Sequence, residues 1–257
     1  MTYDELLKDF ADIAHNGRKY EQNSAMIQRE NNYKQLISQF KKDMAEYPVL
    51  VERYNKNIDK AKQLAEKLYI VHNTDVDSLI SILTNGKIMC AEELKLIGYP
   101  YRKRVSAEYL KKNLNSYVYG ALGPGDKLFG PIEIVFKREV EQSEGAVFIY
   151  KNHFLYTAKR FLNEQMNISK WRSFLAEKLS IEMEDVSGYP QNTAVCDRLE
   201  FYFPRSIDLK YVDKVICCNK EYYDEIMDQL EEEFRGSGKY KELIVLDKNS
   251  IGQGRQE

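Results

Sequence analysis

Two side chains stand where a buried strand would place them at a cleft. His72 follows the apolar run Leu68–Val71, which is rich in β-branched and aromatic residues and predicts a short strand that ends there. Glu200 lies in Leu199–Pro204, where it alternates with apolar residues, so its carboxylate must line a cleft rather than enter the core. By pattern alone, His72 is either a structural residue or a ligand-binding one, and Glu200 is either an exposed glutamate of an amphipathic strand or a residue that lines a functional cleft.

The segment Tyr99–Arg104 is the most basic and aromatic point of the chain. Arg102 and Arg104, with Lys111 and Lys112 nearby, could hold phosphates while tyrosines stack on bases, as on single-strand nucleic-acid surfaces. The same residues are equally consistent with a solvated loop whose arginines meet one pyrophosphate.

Local signals predict the elements that position these residues. After His72, a helix should begin at Asp75 or Asp77 as its cap and end at Asn85-Gly86, where glycine allows a left-handed conformation. A second helix should cover Tyr156–Leu179, with a break near Asn167. Three strands in close succession predict hairpins, over Ser116–Gly120, Pro131–Lys137 and Ala146–Tyr150. A later strand, Asp213–Cys218, should run beside the strand of Glu200, and the chain should close with a helix over Glu221–Phe234 and a strand over Glu242–Leu246.

Composition describes an ordinary globular protein. The chain has 257 residues, 43% of them hydrophobic and 30% charged, with a formal charge of -2, which argues against a strongly cationic nucleic-acid binder. No apolar run approaches the roughly 20 residues that cross a bilayer, and the N-terminus lacks the pattern of a secretion signal, so we expect a cytoplasmic protein that binds no membrane. The four cysteines show no C-x-x-C spacing and His153 has no ligand partner at metal spacing, so we expect buried thiols and no metal.

Residues 1–67 are polar, rich in helix formers and nearly free of glycine and proline, which predicts a helical region. Its apolar stripes need a surface to bury against. The region is either a lid packed on the following domain or a docking surface for a partner such as an inhibitor or chaperone.

The block His72-Asn73-Thr74, followed by a capped helix and Gly86, resembles the first conserved block of the ADP-ribosyltransferase superfamily, in which a strand ends in His-Gly-Thr or His-x-Thr. Tyr117 or Tyr119 stands in the order of the second block and Glu200 in that of the third. The resemblance runs from Leu68 to Leu246. It implies an α+β fold with an ADP-ribosyltransferase-like split β-sheet core, forming a catalytic domain over 68–257 after the N-terminal helical region 1–67.

The resemblance also implies a reaction and a role for each residue. The substrate would be NAD⁺, the activity mono-ADP-ribosyl transfer to a protein or nucleic-acid acceptor, and the protein a toxin or defence effector. Glu200 would bond the ribose 2′-hydroxyl and stabilise the developing cation, His72 would bond the other ribose and the nicotinamide end, and Thr74 would support His72. Tyr117 or Tyr119 would stack on the nicotinamide ring.

Two departures from the family pattern leave other functions open. Asn73 replaces the usual glycine, where it would crowd the approach of NAD⁺ to the backbone. Arg198 stands two residues before Glu200 instead of a glutamate or glutamine, so transfer to arginine is not expected. Asn73 and the long helical N-terminus favour a non-catalytic interaction protein with the same core. A related RNA 2′-phosphotransferase would need several arginines around a phosphate, for which Arg102, Arg104 and Arg160 are available.

Overall fold

The computed structural model describes residues 3–99, 114–123, 130–150, 165–186, 199–235, 238 and 240–247, with side chains from residue 24 onward. Within these ranges the chain forms six α-helices: α1 Tyr3–Glu46, α2 Pro48–Lys67, α3 Val76–Asn85, α4 Ala91–Leu96, α5 Trp171–Glu182 and α6 Lys220–Glu233. It also forms ten strands: β1 Tyr69–Thr74, β2 Lys87–Met89, β3 Tyr117–Gly123, β4 Ile132–Phe136, β5 Val147–Tyr150, β6 Met166–Asn167, β7 Leu199–Pro204, β8 Ser206–Asp208, β9 Val212–Cys217 and β10 Ile244–Leu246. The predicted α+β class with an N-terminal helical region is confirmed.

Eight strands form one mixed sheet in the order β10-β9-β4-β1-β3-β7-β5-β6, and β2 pairs with β8 separately. The predicted hairpins are wrong, because β3 and β4 lie on either side of β1 and β5 pairs with β7. The predicted neighbour of the Glu200 strand is also wrong, since β9 pairs with β4 and β10. Alternating side chains indicate a strand, but they carry no information about which other strand it pairs with.

Local signals were most accurate around α3. Asp75 is its N-cap and accepts a hydrogen bond from the Ser78 backbone N–H at 2.9 Å, and Gly86 ends it with φ of 74°. The described part of the predicted helix over Tyr156–Leu179 is helical from Trp171 onward, and the predicted break near Asn167 is confirmed, because β6 precedes α5 there. Asn167 accepts a hydrogen bond from the Ser169 N–H, a local interaction that competes with a continuous helix.

The sheet has two unlike faces. The helix face carries the large apolar side chains that pack with α2, α3, α5 and α6 in one core, including Ile70, Val118, Ile134, Phe201 and Val215. The opposite face, here called the tyrosine face, carries a smaller cluster of Val147, Ile149, Tyr202, Tyr117 and Tyr119. Glu200 lies on the tyrosine face, as its alternation with Phe201 predicted.

The N-terminal helices are packed on the sheet domain. Phe40 of α1 contacts Phe174 of α5 with ring centroids 5.9 Å apart. Arg172 of α5 pairs with Glu141 at 2.7 Å and donates to the carbonyl oxygens of Ala65 and Leu68. A cation at these terminal carbonyls stabilises the end of α2 and thereby fixes the start of β1. Among the described helices, none is long and apolar enough to cross a bilayer.

Candidate active site

Strand β1 changes its pairing partner in the middle of the block that carries His72. Residues Tyr69 to Val71 pair with β3, whereas Val71 to Thr74 pair with β4. The strand was expected to end at Val71, but it continues to Thr74 along β4. Beyond Val71 the registered pairing of β1 with β3 stops, so His72 is the first residue of β1 without a registered partner in β3.

The His72 ring contacts β3 at the position where this pairing stops. Its Nδ1 lies 2.8 Å from the backbone carbonyl oxygen of Tyr119 in β3. A carbonyl oxygen can only accept, so Nδ1 carries the proton and donates it. Burial lowers the pKa of His72, and the bond to the Tyr119 carbonyl offsets this only in part. The imidazole is therefore neutral at pH 7, and its Nε2 is a hydrogen-bond acceptor.

Cross-strand register places Glu200 in the last row in which β1 pairs with β3. Val71 pairs with Ala121, and Ala121 pairs with Glu200, so these three residues form one row across β1, β3 and β7. Two strand spacings, or roughly 10 Å, separate the backbone of Val71 from that of Glu200. Alternation along β1 puts Asn73 on the tyrosine face with Glu200, and puts His72 and Thr74 on the helix face. His72 is therefore linked to the residues of the tyrosine face only through its hydrogen bond to the backbone carbonyl oxygen of Tyr119 in β3.

The Glu200 carboxylate is held by a tyrosine from its own strand. The Tyr202 hydroxyl donates to Glu200 Oε2 at 2.5 Å. Tyr202 is 1% exposed, and its ring meets those of Tyr119 and Tyr117 edge-on at 5.1 and 6.1 Å. A charge-assisted bond from so confined a ring fixes the orientation of the carboxylate, which stays half-buried. Sequence reasoning missed this role of Tyr202, although its spacing of two from Glu200 predicted a shared face.

Asn73 presents an unpaired donor on the tyrosine face. Its Nδ2 is buried and has no hydrogen-bond partner among the described residues. The residue opposite in β4 is Glu133, itself 7% exposed. A buried donor without a hydrogen bond typically lowers the stability of the folded protein by about 1–3 kcal/mol. The Asn73 amide is therefore an exception to the usual pairing of buried polar groups.

Thr74 is buried at the end of β1 and is held there by the start of β4. Gly130 has φ of 150°, and a Cβ at that position would lie 2.3 Å from the Thr74 backbone oxygen. Only glycine permits this close approach. The pair Thr74 and Gly130 therefore sets the end of β1, one residue beyond Asn73.

Cationic groups near the site come from different parts of the chain. Arg102, Arg104 and Arg160 lie outside the described residues. Arg29 of α1 is half-buried and interacts electrostatically with Tyr117, while its burial lowers the pKa of the guanidinium. No sequence signal pointed to Arg29, because its contact depends on how α1 packs against the edge of the sheet.

The remaining reactive groups form no second centre in the described part of the chain. No group of three His, Cys, Asp or Glu side chains there could hold a metal ion. Cys90 and Cys217 are buried free thiols, and burial raises the pKa of both, to about 12 for Cys217. Such thiols stay protonated near pH 7 and are poor nucleophiles.

Among the solved structures similar to this chain are those of DarT proteins. DarT of Thermus sp. 2.9 in complex with NAD⁺ matches with a TM-score of 0.45 and 15% identity, over 70% of this chain and 96% of that one. The same DarT in complex with ADP-ribosylated ssDNA matches with a TM-score of 0.44 and 14% identity, over 70% and 94%. Thermosipho africanus DarTG in complex with ADP-ribose matches with a TM-score of 0.41 and 14% identity, over 72% and 50%. No protein-family model matches the sequence, and no curated protein sequence matches it.

Proposed function

We propose that this protein is an NAD⁺-dependent mono-ADP-ribosyltransferase. The observation that carries the proposal is the arrangement around β3, where the neutral His72 donates to the Tyr119 carbonyl oxygen and the Tyr202-held Glu200 lies on the next strand. Both residues offer hydrogen-bond acceptors, and the aromatic rings of Tyr117, Tyr119 and Tyr202 lie on the same face of the sheet as Glu200. A ligand that carries ribose hydroxyls and a flat ring is complementary to this set of groups.

The residues present fit NAD⁺ in three respects. The His72 Nε2 and the Glu200 carboxylate can each accept a hydrogen bond from a ribose hydroxyl. Tyr119, half-buried on the tyrosine face, offers a ring for stacking. Tyr117 is its neighbour two residues away and packs edge-on against the same Tyr202 ring.

Glu200 has the central chemical role in the proposed reaction. NAD⁺ supplies a ribose whose bond to a positively charged pyridine nitrogen can break, with the electron pair leaving on nicotinamide. Glu200 stabilises the positive charge that develops on the ribose, and it takes the proton that the acceptor loses on bonding to the anomeric carbon. Tyr202 keeps the carboxylate in the orientation that both tasks require.

The proposed acceptor is a protein or a nucleic acid, and Arg102 and Arg104 are proposed to bind phosphate groups of the substrate. A protein that modifies cellular macromolecules in this way would act as a toxin or defence effector, with an inhibitor or chaperone as the candidate partner of the N-terminal helices.

Labelled NAD⁺ tests the proposal directly. The purified protein is incubated with cell extract and NAD⁺ labelled in its ADP-ribose part, and the products are digested separately with protease and nuclease. Label bound to macromolecules is expected, and its loss on one digestion identifies the acceptor class. Absence of bound label from a folded protein, with protein and nucleic acid both supplied, would contradict the proposal.

One observation favours a second candidate function, a non-catalytic interaction protein with the same core. Asn73 puts a side chain on the tyrosine face where glycine would leave space. If that side chain blocks the substrate, calorimetry will detect no NAD⁺ binding by the folded protein.

A further inference from the structure

The half-buried guanidinium of Arg29 has no carboxylate partner in the described part of the chain. Among the arginines whose side chains the structure describes, three are partly buried. Arg172 pairs with Glu141 at 2.7 Å, and Arg53 lies 3.9 Å from Glu184. Arg29 is the third, and no described carboxylate lies within ion-pair distance of it. A guanidinium stays charged at pH 7, and a charge that is withdrawn from water is usually paired. Arg29 therefore indicates an anionic partner that the described fold does not supply.

The packing of α1 brings Arg29 to the tyrosine face. One turn further along the same side of α1, Asn32 donates to the backbone carbonyl oxygen of Gln165 at 2.8 Å, just before the edge strand β6. From this position Arg29 interacts electrostatically with Tyr117. The Tyr117 ring in turn meets the ring of Tyr202 edge-on at 6.1 Å. The N-terminal helix thus contributes a positive charge beside the tyrosines of the candidate active site.

The charges on the tyrosine face indicate what Arg29 can bind. Glu200 and the buried Glu133 both lie on this face, and their carboxylates repel an anionic substrate. A substrate that carries phosphate groups therefore needs a cation nearby. The guanidinium has paired N–H donors that match two oxygens of one phosphate group.

The proposed reaction offers two sources of phosphate. One is the pyrophosphate of the dinucleotide, and the other is the backbone of a nucleic-acid acceptor. Both present the same anionic oxygens to Arg29, so the chemistry of the contact is the same for either source.

We propose that Arg29 is a substrate-binding residue through which helix α1 supplies a phosphate-binding group to the active site. This assignment rests on the function proposed above. It gives the N-terminal helical region a part in substrate binding, in addition to the lid or docking surface that the sequence predicted.

Calorimetry with two ligands that carry no nicotinamide tests this role without turnover and separates the two sources. ADP-ribose carries the pyrophosphate of the dinucleotide, and a short single-stranded oligodeoxynucleotide carries backbone phosphates. Their Kd values are measured for the unmodified protein, for Arg29→Gln and for Lys42→Gln, which removes the same charge from an exposed position of α1. We expect Arg29→Gln to weaken at least one ligand by about tenfold or more, the effect of a charge-assisted hydrogen bond, and Lys42→Gln to weaken neither.

Salt dependence and stability distinguish ligand binding from a structural role. The loss of affinity in Arg29→Gln should shrink at high ionic strength, because salt screens the attraction between a guanidinium and a phosphate. Arg29→Lys keeps the charge and should restore part of the affinity. Without ligand, Arg29→Gln should unfold at the same temperature as the unmodified protein or at a higher one, since it removes a half-buried charge that has no carboxylate partner in the described fold.

Unchanged Kd values for both ligands in Arg29→Gln would overturn the role of Arg29 and leave the proposed function intact. A large loss of stability in that variant would assign Arg29 a partner within the chain, which also overturns its role. If the folded, unmodified protein binds neither NAD⁺ nor ADP-ribose, the proposed function itself fails, so the two failures are distinguishable.

Discussion

Tyr202 donates its phenolic proton to Glu200 across 2.5 Å, from two residues further along the same strand. The buried Tyr202 ring is confined by Tyr117 and Tyr119. Its hydroxyl group therefore stays in hydrogen-bonding position when the charges around the Glu200 carboxylate change. The carboxylate of the catalytic candidate is thus preorganised by the packing of the tyrosine face.

Tyr202→Phe should lower the rate of ADP-ribosyl transfer by roughly tenfold while changing the Kd for NAD⁺ little, because it removes the group that orients Glu200 and keeps the packed ring. Transfer is measured at saturating NAD⁺, and binding by calorimetry. Tyr211→Phe, on a half-buried tyrosine outside the tyrosine face, is the matched control and should leave transfer unchanged. An unchanged rate for Tyr202→Phe would show that its hydroxyl does not position the carboxylate.

The lowered pKa of His72 predicts how stability depends on pH. The folded protein keeps the ring neutral while the unfolded chain binds a proton below about pH 6.5, so stability from this group is present above that pH and is lost as pH falls. His72→Asn retains a donor for the Tyr119 carbonyl and removes the titration. Its free energy of unfolding should therefore fall less between pH 7.5 and 5.5, by at most about 1.4 kcal/mol per pH unit.

Urea unfolding at the two pH values measures this difference. The other two of the three histidines are present in both proteins, so their contributions cancel in the comparison. Parallel losses of stability in the unmodified protein and in His72→Asn would show that His72 is not held neutral.

Gly130→Ala should destabilise the fold more than Gly86→Ala. Both glycines have positive φ, but a Cβ at Gly86 meets nothing within 4 Å, whereas a Cβ at Gly130 meets the Thr74 backbone. The strain of φ alone costs about 1–2 kcal/mol, and the contact with Thr74 adds to it. Urea unfolding of both variants measures the difference. Equal losses would mean that β4 and β1 can move apart without cost.

Asn73→Ala and Asn57→Ala should differ in their effect on the unliganded protein. Asn57→Ala breaks a buried hydrogen bond to Met183 and should reduce stability by about 1–3 kcal/mol. Asn73→Ala removes a donor that bonds to nothing in the described fold, so stability should stay the same or rise. Thermal unfolding without ligand compares them, and an equally large loss for Asn73→Ala would assign that residue a structural role.

Much of the local structure was predictable because its causes are local. The Asp75 cap and the left-handed Gly86 follow from side-chain chemistry within one helix. The exposure of Glu200 on the face opposite Phe201 follows from the two-residue period of a strand. Those local patterns predicted the two strands that carry His72 and Glu200.

The order of strands was not predictable, because it depends on contacts between distant segments. No pattern in β3 or β4 shows that both flank β1, and no pattern in β9 shows that it pairs with β4. The same limit applies to the protonation of His72, which is set by a carbonyl oxygen 47 positions later, and to the free amide of Asn73. These features exist only once the sheet is assembled.

Release of nicotinamide by Glu200 variants tests the central claim most directly. The unmodified protein, Glu200→Gln and Glu232→Gln, an exposed glutamate on α6, are compared with NAD⁺ and the acceptor. A loss of about a hundredfold or more in Glu200→Gln, with an unchanged unfolding temperature and full activity in Glu232→Gln, is the predicted result. Equal release by all three proteins, or none by the unmodified protein, would contradict a catalytic Glu200.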